Sequence, residues 1–296
     1  MDCLPLAPWP RRQNDTHKGT YGTVLVIAGC RSYPGAAILA ALGAARLGAG
    51  LVRLAVPQGI VAEVLPAVPF ATVLRCPETP EGGLALEAAG ALLAAARTSQ
   101  AVVIGPGLGT ARASGELLAA VVPDLAAPLV VDADALNLLV GLGAPQLLTP
   151  RAQPTVLTPH PGEFGRLTES PAPSGDAARA RAATTLAQDL GVVVALKGHH
   201  TVVTDGRRLY AEPAGNPGMA TGGMGDVLAG AIAAVLAREN HSASEDPAAD
   251  TALAVHLHAR AGDLAAADLG QDGLLPQDVA ERLGFAAREI QQKTQR

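Results

Sequence analysis

The stretch with the clearest chemical potential runs from Asn216 to Asp226 and reads Asn-Pro-Gly-Met-Ala-Thr-Gly-Gly-Met-Gly-Asp. An apolar segment with helical character follows, over Val227–Ala237. A glycine-rich turn that enters a helix can gather bare N–H groups around an anion, and the helix dipole adds positive potential there. Asp226 would stand beside that anion, where a carboxylate can accept the proton of a hydroxyl that attacks phosphorus. The alternative is structural: the glycines form only a turn, and Asp226 only caps the helix.

Other polar or glycine-rich groups follow predicted strands at the points where those strands end. In open α/β sheets ligands bind at this carboxyl edge, so the groups are expected to share one crevice. Each also has a structural alternative, because glycines make tight turns, aspartates cap helices and a lone histidine is often a packed loop residue. The groups are Gly29, Gly105–Gly109, Asp132, His160, Lys197 and Gly222–Asp226.

Lysine is scarce in this chain, and its positions are therefore informative. Of 22 basic residues only Lys18, Lys197 and Lys293 are lysines. Lys18 and Lys197 lie in motif-like stretches, and Lys293 lies in a polar tail. Lys197 ends a predicted buried strand and is the better candidate for contact with a phosphate.

Strands and helices are predicted to alternate from residue 17 onward, which indicates βαβ units and a mostly parallel sheet with helices on both faces. A hairpin is predicted around Asp205-Gly206, and the chain then becomes mainly helical. Residues 17–296 are predicted to form one domain, and residues 1–16 a loosely packed N-terminal arm. The predicted strands are 23–28, 51–56, 71–74, 101–104, 129–131, 155–157 and 192–196; the helices are 35–49, 84–97, 113–122, 176–190, 225–239, 248–268 and 276–292.

Composition excludes several classes of protein. The 296 residues are 49% hydrophobic and 17% charged, with a net charge of −5 and no basic stripe, which argues against a nucleic-acid partner. The apolar run Ala36–Val56 contains Arg46 and Arg53 and predicts helix, turn and strand, so no membrane partner is expected. The three scattered cysteines form neither a zinc pattern nor a disulfide framework, and Met1–Asp15 has no signal-peptide core. A cytoplasmic location is therefore expected.

Seven motifs, in order along residues 17–226, together resemble the ADP-dependent NAD(P)H-hydrate dehydratases, a family with a ribokinase-like fold. The resemblance extends to about residue 290 and implies a three-layer α/β/α domain. The motifs are His-Lys-Gly-Thr-Tyr-Gly at 17–22, Pro-Gly-Ala-Ala at 34–37, Gly-Pro-Gly-Leu-Gly at 105–109, Val-Asp-Ala-Asp-Ala-Leu-Asn at 131–137, Leu-Thr-Pro-His-Pro-Gly-Glu at 157–163, Leu-Lys-Gly-x-x-Thr at 196–201, and the stretch from Asn216 to Asp226.

The resemblance implies a carbon–oxygen lyase that repairs a damaged nicotinamide cofactor. Members of the family dehydrate the 6S hydrate of NADH or NADPH at the expense of ADP, with magnesium required, and release AMP and phosphate. Many bacterial members carry this domain behind an epimerase domain. Only about sixteen residues precede the motifs here, so we expect no epimerase domain. The resemblance also implies a homo-oligomer, a tetramer.

The same resemblance implies roles for particular residues. Asp226 would be the catalytic base, and Mg²⁺ would bridge phosphates through few protein ligands, which the sequence does not identify. Met224 departs from the family, which usually has threonine or serine there, although an anion hole built from backbone would tolerate the change. The implied nucleotide-binding residues are Lys197, Gly198, His199, His200, Thr201 and Gly225; the anion hole is Gly222, Gly223, Met224 and Gly225; and the substrate-binding residues are Ala36, Gly107, His160 and Asp226.

Two alternatives remain open at this point. One is a small-molecule kinase of the same fold, such as a hydroxyethylthiazole or hydroxymethylpyrimidine kinase, which would use the same Asp226 and anion hole. The other is a nucleotide-sensing module that has lost catalysis, toward which only Met224 points.

Overall fold

A single ten-stranded sheet forms the centre of the molecule in the computed structural model, which describes residues 2–149, 151–171, 173–238 and 246–293. Its strand order is β1-β10-β9-β8-β7-β6-β5-β2-β3-β4. All neighbours pair in parallel except β9, which is antiparallel to both β8 and β10. The strands are Asp2–Cys3 (β1), Thr23–Ile27 (β2), Leu51–Pro57 (β3), Thr72–Cys76 (β4), Ala101–Ile104 (β5), Leu129–Val131 (β6), Thr155–Leu157 (β7), Val193–Leu196 (β8), Val202–Thr204 (β9) and Arg208–Ala211 (β10).

Helices cover both faces of the sheet, so the central strands are buried on both sides. In β2, Val24 and Val26 join one hydrophobic core while Leu25 and Ile27 join the other. This is the period-2 alternation of a strand between two helical layers. The predicted α/β class, with a mostly parallel sheet in three layers, is therefore confirmed.

The first core lies under α1, α2 and α9–α11, and the second under α3–α8. Among the described residues, no helix is long and apolar enough to cross a membrane. The helices are Pro34–Arg46 (α1), Val61–Val64 (α2), Ala89–Ala96 (α3), Arg112–Val121 (α4), Asp134–Leu142 (α5), Ala144–Leu148 (α6), Pro161–Leu167 (α7), Asp176–Leu190 (α8), Met224–Leu236 (α9), Pro247–Leu269 (α10) and Pro276–Lys293 (α11).

The prediction of a loosely packed arm over residues 1–16 was wrong. Asp2–Cys3 extends the sheet by pairing in parallel with β10, and Leu4 is 1% exposed. Trp9 is also buried, and the Arg238 guanidinium lies 3.9 Å from the centre of its ring. The arm therefore packs against the domain, because its few apolar side chains insert into the core although most of its residues are polar.

Other differences concern helices. Helices α2, α5, α6 and α7 were not predicted, and all four are short, with four to nine residues each. The helix predicted over 84–97 begins as an α-helix only at Ala89, after one 3₁₀ turn. The predicted end of α9 at residue 239 lies outside the described residues, within which this helix ends at Leu236.

Helices α1 and α9 approach each other so closely that glycine is required at their crossing. A Cβ atom on Gly230 would lie 1.9 Å from the Ala40 carbonyl oxygen, and one on Gly43 would lie 2.1 Å from the Val227 carbonyl oxygen. Backbone atoms of the two helices are in contact, so neither helix can shift away from the other without displacing the helices packed beside it. Because α9 also begins at the glycine-rich turn, this crossing fixes the position of that turn.

We expect Gly230→Ala to lower the free energy of unfolding by about 1–3 kcal/mol or more, because overpacking a filled contact displaces backbone. Urea unfolding followed by circular dichroism measures this. Gly90→Ala in α3 is the matched control, since a Cβ there meets nothing within 4 Å and alanine favours helix. A Gly230→Ala chain as stable as the Gly90→Ala chain would contradict the prediction.

Candidate active site

The glycine-rich stretch forms the turn that starts α9. Gly223 is the N-cap residue, in the left-handed conformation with φ 92°, and a Cβ there would lie 2.5 Å from Leu39 Cδ1. Met224 is the first helical residue and its side chain is buried, so only its backbone is available to a ligand. Asp226 lies in the first turn and is not the cap, which removes the simplest structural alternative for it.

The Asp226 carboxyl group has the electrostatic properties of a general base. Burial, followed by the nearby charge of Asp132, raises its pKa to about 7, although Lys197 opposes the shift. Within the described part of the chain, no hydrogen bond or salt bridge reaches this carboxylate. A carboxyl group with this pKa can accept a proton near neutral pH, where an ordinary aspartate is a much weaker base.

Lys197 lies at the centre of a group of carboxylates. Its Nζ donates to Asp132 Oδ1 at 2.6 Å and lies 3.7 Å from Glu163 Oε2. Burial lowers the pKa of Lys197, but the charges of Asp132 and Glu163 outweigh it, so the net shift is upward and the ammonium stays charged. Burial raises the pKa of Glu163, and Lys197 acts against that rise. Lys197 is thus the cation whose positive charge allows several carboxyl groups to lie close together in one crevice.

Asp132 is held at the end of β6 by a constrained turn. It is 1% exposed, and its Oδ1 also accepts from Thr158 Oγ1 at 2.7 Å. The next residue, Ala133, has φ 51° and ψ −120°, a conformation that costs a non-glycine residue about 1–3 kcal/mol. Asp134 then starts α5, and its Oδ2 accepts from the Gly109 backbone N–H at 2.8 Å. The turn therefore connects β6 to the glycine-rich loop after β5.

His160 caps α7. Its Nδ1 accepts from the Gly162 N–H at 3.0 Å, so its other nitrogen, Nε2, carries the proton and faces Glu163 Oε1 at 3.2 Å. Glu163 in turn accepts from the His160 backbone N–H, which completes a capping box. Burial lowers the pKa of His160, so the imidazole is neutral at pH 7. Both nitrogens are engaged, and a ligand would meet mainly the face of the ring.

The segment Lys197–Thr201 links β8 to β9, and Arg179 of α8 holds its outer side. The Arg179 guanidinium donates to the carbonyl oxygens of Leu196, Lys197 and His199. Thr201 Oγ1 donates to the Gly198 carbonyl oxygen at 3.1 Å. A Cβ on Gly225 would lie 3.1 Å from Lys197 Nζ, which places this segment beside the start of α9.

The predicted substrate residues Ala36 and Gly107 lie against each other. A Cβ on Gly107, whose φ is 62°, would lie 2.9 Å from Ala36 Cβ and 2.8 Å from Tyr33 Cβ. Glycine is needed here so that the loop after β5 can approach the start of α1. Tyr33 itself is 57% exposed beside this contact.

The structure therefore brings most of the predicted residues to one edge of the sheet, while the His199 and His200 side chains turn toward α8. From the sequence, Asp132 was expected in the shared crevice but had no assigned role, and Glu163 was not expected there. The signal that could have found Glu163 was a glutamate three residues after His160, the spacing of a capping box.

Comparison with known proteins is consistent with this geometry. The family model of the NAD(P)H-hydrate dehydratases matches residues 24–284. The ADP-dependent (S)-NAD(P)H-hydrate dehydratase of Bacillus subtilis is 35% identical over 279 residues, which cover 94% of this chain and 93% of that protein.

Solved structures are similar to this chain as well. The chain is similar to the crystal structure of the B. subtilis ADP/ATP-dependent NAD(P)H-hydrate dehydratase co-crystallised with ATP and Mg²⁺, with a TM-score of 0.80, 32% identity, and coverage of 97% of this chain and 99% of that one. A ribokinase-like superfamily protein from Enterococcus faecalis gives a TM-score of 0.78 at 28% identity, covering 95% and 91%. These similarities confirm the predicted ribokinase-like fold.

The chain spans about half the length of several curated relatives that it matches. These are named bifunctional NAD(P)H-hydrate repair enzymes, and the matched region covers 52–53% of three of them.

Proposed function

The chain belongs to the NAD(P)H-hydrate dehydratase family, and from that premise we propose that it dehydrates the 6S hydrate of NADH or NADPH, with ADP converted to AMP and phosphate. The observation that carries the proposal is Asp226. This one carboxylate combines a position in the first turn of α9, a glycine-rich backbone beside it and a pKa raised by burial to about 7.

The chemistry proceeds in two stages, because hydroxide leaves carbon poorly and phosphate leaves well. Asp226 accepts the proton of the substrate hydroxyl. The oxygen of that hydroxyl forms a bond to the β-phosphorus of ADP, and AMP departs. The backbone N–H groups of the turn from Gly222 to Gly225 stabilise the charge on the transferring group. The C–O bond then breaks with release of phosphate, a neighbouring C–H proton is lost, and the ring double bond of NAD(P)H is restored.

We assign the nucleotide to Lys197–Thr201 and Gly225. Arg179 binds the carbonyl oxygens of Lys197 and His199. Because the C=O and N–H of one peptide unit point in opposite directions, this supports an orientation of the Gly198 and His200 N–H groups toward the crevice. We assign the hydrate to Ala36, Gly107, His160 and Asp226. The contact of Ala36 with Gly107 and the neutral ring of His160 suit an uncharged, flat part of the substrate.

The residues present fit a magnesium ion that would be held mainly by the phosphates of ADP and by few protein atoms. Asp132 Oδ1 is occupied by Lys197 and Thr158, whereas no hydrogen bond of the described residues engages Oδ2, which faces the position of Gly225. Mg²⁺ is commonly bound by one or two carboxylates together with substrate phosphates. Asp132 Oδ2 is therefore the protein ligand that we propose, and the ion would neutralise phosphate charge.

The direct test is to incubate the chain with NADH hydrate, ADP and Mg²⁺ and to follow the absorbance of reduced nicotinamide together with AMP and phosphate. We expect one AMP and one phosphate for each NADH restored. A kinase for another small molecule would restore no NADH, and a sensing module would bind ADP without forming AMP. Either result would exclude the proposed function.

We expect the rate to fall as the pH is lowered through about 7, because the base must be ionised and the pKa of Asp226 is raised by burial to about 7. The pH dependence of kcat/KM reports this group in the free enzyme. Its acidic limb should bend near pH 7, about three pH units above the ordinary pKa of aspartate. An acidic limb near pH 4 would mean that the base titrates as an ordinary aspartate and would contradict the raised pKa of Asp226, provided that the chain stays folded over the range.

We further propose that residues 17–296 act as one catalytic domain in the cytoplasm, as a homotetramer. The free cysteines support a reducing compartment, and exposed apolar side chains such as Phe70 and Phe285 support association. Light scattering coupled to size-exclusion chromatography measures the assembly, and a monomer at micromolar concentration would exclude the tetramer.

A further inference from the structure

A second cluster of metal-ligating side chains lies beside the crevice, outside the group around Lys197. Asp176, His199 and His200 each offer a ligand atom, and these atoms all lie within 4.8 Å of one another. Asp176 begins α8, and the two histidines lie in the segment between β8 and β9. Among the described residues this is the only group of three or more histidine, cysteine or acidic side chains with such spacing.

We propose that Asp176, His199 and His200 form a site for one divalent transition-metal ion of the Zn²⁺, Co²⁺ or Ni²⁺ type. The ligand set supports this class, since imidazole nitrogens suit transition metals whereas Mg²⁺ and Ca²⁺ take oxygen ligands. The site uses the side chains of His199 and His200, which turn toward Asp176 of α8, whereas the nucleotide is assigned to the backbone N–H groups of their segment. It is separate from the proposed magnesium position at Asp132.

The geometry requires only small movements. Two nitrogen or oxygen ligands of a tetrahedral ion at about 2.0–2.1 Å lie about 3.4 Å apart. His200 Nδ1 and Asp176 Oδ2 are already 2.9 Å apart, and the His199 and His200 ring centroids are 3.8 Å apart. Half-exposed side chains can rotate into place without disturbing the core.

The backbone that carries the histidines is already fixed, which lowers the entropy lost on binding. Arg179 donates to the His199 carbonyl oxygen, and Thr201 Oγ1 donates to that of Gly198. His200 has φ 52°, an unusual conformation that directs its ring toward Asp176. The one cation facing the cluster, within the described residues, is Arg179, whose Nη1 is 4.0 Å from Asp176 Oδ1 and is already engaged by carbonyl groups.

Charge also favours a cation over a phosphate at these three side chains. Asp176 supplies a carboxylate, and its Oδ2 lies 2.9 Å from His200 Nδ1. An anion would therefore meet a negative charge at one of the three positions.

The experiment titrates the chain, without a polyhistidine tag, with Co²⁺ and with Zn²⁺ by calorimetry, and records the visible absorption of bound Co²⁺. We expect one ion per chain and a band of low-symmetry coordination by nitrogen. The double variant His199→Gln/His200→Gln should lose at least tenfold in affinity, and Asp176→Ala about 10–100-fold. His17→Gln, another exposed histidine, is the control and should bind as the parent does.

Two outcomes would overturn the site. One is equal affinity and an equal Co²⁺ spectrum for the parent and the double variant. The other is displacement of Co²⁺ by a moderate excess of Mg²⁺, which would place the ion among the carboxylates near Lys197. Circular dichroism of each variant without metal distinguishes loss of ligands from loss of folding.

Discussion

Asp226→Asn is expected to reduce turnover by about 10²–10⁴-fold, because asparagine cannot accept the proton of the attacking hydroxyl. AMP should still bind, since the backbone of the turn from Gly222 to Gly225 is unchanged. The measurement is kcat with saturating ADP and NADH hydrate, with AMP binding by calorimetry on the same preparation. An active Asp226→Asn enzyme would contradict the mechanism.

Stability provides a second measurement on the same variant. The folded chain holds a proton on Asp226 up to about pH 7, because burial raises its pKa, whereas an unfolded aspartate loses its proton near pH 4. The native state therefore binds more protons between these values, and this residue's contribution to stability falls as pH rises through the window. We expect Asp226→Asn to be more stable than the parent above pH 7, by up to about 4 kcal/mol, and to show little gain at pH 4. A less stable variant above pH 7 would show that Asp226 has a structural role instead.

Lys197→Met should destabilise the chain by about 3–5 kcal/mol near neutral pH, because it leaves buried carboxylates without their cation. Asp132 is 1% exposed and Glu163 is 5% exposed, so water cannot replace the ammonium group. Urea unfolding at pH 7.5 measures the loss. Lys18→Met, at an exposed position, is the control and should change stability by less than about 0.5 kcal/mol.

The same variant should behave differently in acid. Carboxyl groups that have taken up protons need no counter-ion, so the deficit of Lys197→Met should shrink as pH falls from 7.5 toward 5. Lys197 also holds down the pKa of Asp226, so any residual activity should have its acidic limb at higher pH than the parent. A deficit that is the same at both pH values would mean that Lys197 contributes packing and not charge.

The sequence predicted the parts of the site that depend on local pattern. Strand ends, the helix after Asp226 and the hairpin around Asp205-Gly206 all follow from hydrophobic period and turn chemistry, which act over a few residues. The position of Asp226 in the first turn of α9 was predicted for the same reason. The assignments of nucleotide and substrate residues rest on the family resemblance and remain proposals.

The remaining features depend on contacts between distant residues. The bond from Lys197 to Asp132 joins positions 65 residues apart, and no local pattern predicts which carboxylate a lysine will meet. Glu163 was visible only as part of a motif, although its burial beside Lys197 determines its electrostatics. The arm was mispredicted because its apolar residues are few, and their partners lie in β10 and at Arg238.

The pairing of β1 with β10 also affects how the chain is made. Asp2 meets Arg208, so β1 has no partner in the sheet until about 200 further residues have been synthesised. At typical rates of synthesis that delay is roughly 10–40 s. During this interval Leu4 and Trp9 have no core to enter, and the growing sheet lacks its outermost strand. A strand of only two residues, both exposed, offers little unpaired edge to other nascent chains over that time.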